Sequence, residues 1–120
     1  MPHLNLAVLH GALSKTPEAR LLPDGSTVWE LDLTIRQDDR ATSTVPVSWA
    51  SASKGTDPAA WSSGDELVVV GAVRRRFYRA GGATVSRTDV LADAVVPARQ
   101  RKRASAVLQQ ALASLGAPGG

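Results

Sequence analysis

Apolar and polar side chains alternate with a period of two along several stretches of this chain. Residues 4–13 place Leu4, Leu6 and Val8 on one side of an extended segment and Ala7, Leu9 and Leu13 on the other. Such a stretch reads as a strand covered on both faces. Gly11 in its middle predicts a bend or bulge of the kind a closing barrel needs, and Pro17 breaks the run. Pro23-Asp24-Gly25 is a turn, since proline presets φ and glycine accepts a positive φ. Residues 28–36 show the clearest alternation, with Trp29, Leu31, Leu33 and Ile35 on one side and Glu30, Asp32 and Thr34 on the other.

Gln37-Asp38-Asp39-Arg40 predicts a polar hairpin loop, and residues 42–50 its returning strand. Pro46 removes one ladder donor there and argues for an edge or a bulge. Residues 51–63 are small and polar, with Asp57-Pro58 placed as an N-cap and first residue of a helix of one or two turns. A β-rich core strand follows from Glu66 and runs into Arg74-Arg75-Arg76-Phe77-Tyr78-Arg79. Ala80-Gly81-Gly82 is a glycine hairpin turn, and residues 84–96 return as the last strand, ended by Pro97. Further on, Val107, Leu108, Ala111, Leu112 and Leu115 share a helical face, with Gly116 at the C-cap position and looser residues beyond. So short a helix is marginal alone and needs a surface to dock on; its own barrel and a neighbouring subunit both serve.

Five strands with one short helix between the third and fourth, and bends at glycines, are the inventory of an all-β, five-stranded OB-fold Greek-key barrel with a possible C-terminal helix. We expect residues 1–98 to form that domain and residues 99–120 a basic tail. At 120 residues one core is the expectation. The net charge of +3 hides an asymmetry: residues 1–98 sum to −1, and residues 99–120 carry Arg99, Arg101, Lys102 and Arg103 with no acid, summing to +4. A basic excess points to nucleic acid or another acidic partner, although a solvated linker explains the cluster equally well. Cysteine is absent, which removes disulfides, thiolate nucleophiles and cysteine-based metal sites. No signal peptide or membrane span is expected, and a cytoplasmic, nucleoid-associated protein is the expectation.

The spaced residues Asn5, Leu9, Gly11, Leu13, Pro17, Glu18 and Arg20, followed by Gly25, resemble the first-strand signature of the bacterial single-stranded DNA-binding protein family. Gly64, then Leu67-Val68-Val69-Val70-Gly71-Ala72-Val73-Arg74, is similar to that family's fourth strand, and the spacing between the two blocks also fits. The resemblance covers roughly residues 4–96. It implies sequence-independent binding and protection of single-stranded DNA in replication, repair or recombination by a homotetramer. Of the family's four stacking positions, the first falls on Asp38-Asp39 and the second near Ser43; the others correspond to Trp49 and Tyr78 and keep an aromatic. The family's acidic C-terminal tip, which recruits other proteins, has no counterpart, so an auxiliary paralogue without that recruitment is expected.

Binding a single strand without regard to sequence takes cations along the backbone path and π-faces for the bases. On a strand, Arg74, Arg76 and Tyr78 project to one face and Arg75, Phe77 and Arg79 to the other. The resemblance favours the first face for DNA. The alternative is a solvated hairpin whose arginines pair with Asp38, Asp39 or Asp89. Trp49 is read either as a stacking platform or as barrel packing, whereas Trp29 and Trp61 are read as core. Arg20, Arg36 and Arg87 could line the backbone path or serve as surface charges.

Catalysis, a metal and a cofactor are not expected. His3 and His10 are the only histidines, and neither a P-loop nor a nucleophile elbow is present. The competing reading is an OB-fold protein–protein assembly module with weak or no DNA binding.

Overall fold

The computed structural model describes residues 3–50 and 56–116. Six strands, β1 (Ala7–Leu13), β2 (Glu18–Leu21), β3 (Thr27–Gln37), β4 (Arg40–Trp49), β5 (Glu66–Ala80) and β6 (Ala83–Pro97), precede helix α1 (Arg101–Gly116). The sheet runs β1-β5-β6-β4-β3-β2, and a further pairing of β1 with β3 closes five strands into an OB-fold-like barrel. All neighbours are antiparallel except β4 and β6, which run parallel at Val47↔Val90 and Ser48↔Leu91.

One strand exceeds the expected five. β1 reaches β3 at Ala12↔Thr34 and Leu13↔Leu33, and β2 resumes on the same edge at Glu18↔Glu30. Pro17 therefore interrupts a long first strand rather than ending it. The backbone N–H of Ser14 donates to Asp32 across the gap. Upstream, residues 4–6 lie outside the strand. There the Asn5 amide takes over the ladder's role, donating to the Val73 carbonyl at 2.7 Å and accepting from the Val73 N–H at 3.0 Å. Pro46 faces Asp32 on β3, just before β6 joins β4 at Val47; its missing donor falls where β4 has only one partner.

Inward side chains from every barrel strand form the main core, including Leu13, Leu31, Leu33, Val47, Leu67, Val69, Val90 and Val95. Asp93 is an extra residue in β6, since Val70 pairs with Ala94 and Gly71 with Ala92. This bulge shifts the alternation so that Val90, Ala92 and Val95 all stay inside. A Cβ on Gly71 would sit 2.1 Å from the Leu91 carbonyl oxygen, so the close approach at the bulge admits only glycine.

The expected short helix is a single 3-10 turn, Pro58–Ala60, capped by Asp57, whose carboxylate accepts from the Ala59 N–H. It carries Trp61 under the barrel, where Trp61 stacks on Trp49 with parallel rings 6.1 Å apart. Residues 51–55 of the expected polar segment lie outside the described residues, as do the last four of the tail.

Helix α1 begins at Arg101, six residues before the first residue of its apolar stripe, so Arg101, Lys102 and Arg103 lie in its first turn. It docks on the chain's own barrel, where Ala104, Val107 and Leu108 cover Val68 and Val96 on the outer face. Among the described residues no helix is long and apolar enough to cross a membrane.

Candidate nucleic-acid interface

β5 and β6 outrun the barrel. Their pairing continues from Arg74↔Asp89 to Ala80↔Ala83, whereas β4 accompanies β6 only at Val90 and Leu91. The result is a two-stranded arm closed by Gly81 and Gly82, whose φ values of 58° and 82° are those of a tight primed hairpin turn. Five arginines stand in residues 74–89 against the single carboxylate of Asp89, a net charge of +4.

The register sorts these side chains onto two faces. Arg74, Arg76 and Tyr78 share the outer face with their cross-strand partners Asp89, Arg87 and Val85. Arg75, Phe77 and Arg79 share the opposite face with Thr88, Ser86 and Thr84.

Asp89 anchors the outer face. Only 2% of it is exposed, and it accepts two hydrogen bonds of 3.1 Å from Arg74, through Nε and Nη2. Ser48 Oγ on β4 donates a third at 3.0 Å, and Arg76 Nη2 lies 3.2 Å from Oδ2. Burial alone would raise the carboxyl's pKa; the Arg74 and Ser48 hydrogen bonds and the charges of Arg74 and Arg76 outweigh it, and the pKa lies below the usual carboxylate value. The sequence offered Asp38, Asp39 and Asp89 as partners for these arginines, and the hairpin register selects Asp89.

Beside this anchor a cleft of about 400 Å³ opens between the arm and the β2–β3 edge, lined by Arg20, Glu30, Arg76, Phe77, Tyr78 and Arg87. Arg20 lines it from β2 and pairs with Glu30 of the adjacent β3 at 3.2 Å. Tyr78, which also lines it, is 48% exposed. Arg87 has no ion pair among the described residues. Five of the ten residues singled out from the sequence thus meet here, with Arg74 held one step behind them by Asp89.

The other four are placed elsewhere. Arg75 Nη2 donates to Ser86 Oγ at 3.0 Å, and its guanidinium lies 5.4 Å from the centre of the Phe77 ring; Arg79 donates to the Gly82 carbonyl. Arg36 lines a separate groove of about 630 Å³ with His10, Ser14, Thr34 and Glu66, where His10 Nε2 and Glu66 Oε1 are 2.8 Å apart. Trp49 is 1% exposed and stacks inside the barrel. Of its two readings, the packing one describes its position, because its inward parity with Val47 takes the indole away from any surface strand. Trp61 is likewise buried, and Trp29 is packed half-buried against the core.

Glu30 and Ser48 were missed as contributors. Both were legible as outward positions of their strands, but their nearness to the arm follows from the β3–β4 register, Glu30↔Ser48, combined with the parallel β4–β6 contact. No family model matches the chain, and no curated protein is matched by its sequence.

Proposed function

We propose that the chain binds single-stranded DNA without sequence preference, as an auxiliary member of the single-stranded DNA-binding proteins it resembles, and catalyses nothing. The observation that carries this reading is the cleft, which gathers Arg20, Arg76, Arg87 and the exposed Tyr78 ring against the base of a cationic arm. Cations set to follow a phosphate backbone beside a π-face that any base can stack on are what nonspecific strand binding requires. Asp89 leaves the cleft cationic while holding Arg74 and Arg76 in place. The Arg20–Glu30 pair and the Lys15 contacts to Glu18 and Asp32 leave the β2–β3 surface near neutral, so the attraction comes from the arm. Under this reading the protein works in the cytoplasm on the nucleoid as a homotetramer. Leu4, 69% exposed just before β1, and Val8, 47% exposed within it, offer apolar surface for another copy.

The test is the anisotropy of labelled oligo-dT titrated with protein over a salt series. Binding is expected to weaken with a log–log slope of about −0.7 per phosphate neutralised, and Arg87→Ala is expected to weaken it. Absence of binding at low salt overturns the proposal. It then favours the assembly-module reading, which the exposed Leu4, Val8, Leu112 and Leu115 support.

A further inference from the structure

The face of the arm opposite Arg74, Arg76 and Tyr78 in the β5–β6 register is built in an ordered way, and its Phe77 also borders the cleft. Along β5 it presents Arg75, Phe77 and Arg79 at every second residue, and along β6 Thr88, Ser86 and Thr84 directly opposite them. Phe77 is 68% exposed, the most exposed aromatic ring of the described chain. Packing does not account for it, since Phe77 belongs to neither apolar cluster. Its one ring contact of note is the guanidinium of Arg75. No carboxylate shares this face, in contrast to the outer face, where Asp89 engages two of the three arginines.

We infer that Arg75, Phe77 and Arg79 form a second contact face for single-stranded nucleic acid, so that the arm engages the strand on both sides. A base stacks on Phe77 beside the Arg75 cation, which keeps its place near the ring. Arg75 and Arg79 flank that platform and meet the phosphates before and after the base, and the three hydroxyls opposite donate to phosphate or base oxygens. An apolar partner protein would use Phe77 as well. The flanking cations and the hydroxyl row, which an apolar partner would have to desolvate, favour the polyanion. The inference rests on the proposed binding activity, and the experiment separates the two.

Affinity for a long oligo-dT is measured for the wild type, Phe77→Ala, Tyr78→Ala and the double variant, with Phe77→Trp as a conservative control. Each alanine is expected to weaken binding roughly 5- to 150-fold, the equivalent of one stacked base. The loss in the double variant should exceed either single loss, because the two rings project from opposite faces of β5. Phe77→Trp should retain the affinity and show added fluorescence quenching on binding. Arg75→Gln combined with Arg79→Gln should flatten the salt slope by about 1.4. If Tyr78→Ala weakens binding and Phe77→Ala does not, the second face is wrong and the binding proposal stands. If Phe77→Ala instead changes only the mass in solution, the face is a contact between copies and the inference falls. If the wild type fails to bind, both fall.

Discussion

Asp89 and Arg74 face each other across β5 and β6 and are joined by two hydrogen bonds of 3.1 Å, at the point where the barrel ends and the free arm begins. The carboxylate is buried, while the guanidinium keeps about a third of its surface in water. The pair therefore serves as a brace for the arm, and it draws in Arg76 and the β4 hydroxyl of Ser48. That ties β4, β5 and β6 together beside their short parallel contact.

Removing the carboxylate should loosen this junction. Asp89→Ala leaves Arg74 and Arg76 without their anion, but both reach solvent and can rehydrate. The cost should fall below that of a fully buried pair, at about 2 kcal/mol, read as a lower denaturant midpoint at unchanged slope. Arg74→Ala should cost at least as much, because it leaves a buried carboxylate with fewer donors. A midpoint equal to wild type for both variants would exclude the brace.

The same contact has a pH signature. The folded-state pKa of Asp89 is depressed by Arg74, Ser48 and Arg76 against the opposing effect of burial, so the unfolded chain binds this proton more readily than the folded one. The stabilisation is then fully present above the ordinary carboxylate pKa of about 4 and is lost as pH falls through the lower folded value. The stability difference between wild type and Asp89→Asn should be flat across neutral pH and should shrink under acid below about pH 4. A difference that shrinks on the alkaline side instead would assign it to another group.

Much of this arrangement could be read before any coordinates. Alternation placed the barrel strands, and the glycine pair placed the arm's turn. Counting back from Gly81 and Gly82 as the two central turn residues brings Arg74 opposite Asp89, so the anchor was within reach of hairpin arithmetic. The long-range closure was not. β2 eluded the pattern because its Glu18-Ala19-Arg20-Leu21 sequence is exposed throughout and belongs to the sheet only through β3. Arg20 enters the cleft for the same reason, by the path of the interrupted first strand. Trp49 shows the limit of reading a side chain by type, since an indole serves a core and a stacking platform equally well and only strand parity decides.

The bulge offers a test of the barrel's geometry apart from any ligand. Gly71→Ala places a methyl 2.1 Å from the Leu91 carbonyl oxygen and 2.8 Å from the Ala92 Cα. Both are backbone atoms that no rotamer change can move. The expected cost is about 3 kcal/mol or more, with loss of native thermal cooperativity. Ala72→Gly next to it should cost only about 1 kcal/mol, the ordinary penalty of added backbone freedom. Equal effects at the two positions would show that the approach of β5 to β6 at the bulge is less tight than described.

Trp49 and Phe77 together separate core from surface. Trp49→Ala empties a fully buried site and removes the stacking partner of Trp61, so it should cost about 3–5 kcal/mol. Phe77→Ala, on the exposed arm, should stay within about 0.5 kcal/mol of wild type. Their effects on strand binding should be ordered the other way. Trp49→Ala, measured at a temperature where the variant remains folded, should leave affinity for oligo-dT near wild type, because the indole does not reach the surface. Among the described residues the indole N–H has no hydrogen-bond partner, so its emission should report an apolar surrounding that oligo-dT does not alter. Direct quenching lost specifically in Trp49→Ala would require the indole to leave the barrel on binding, and would return Trp49 to the DNA-contacting set.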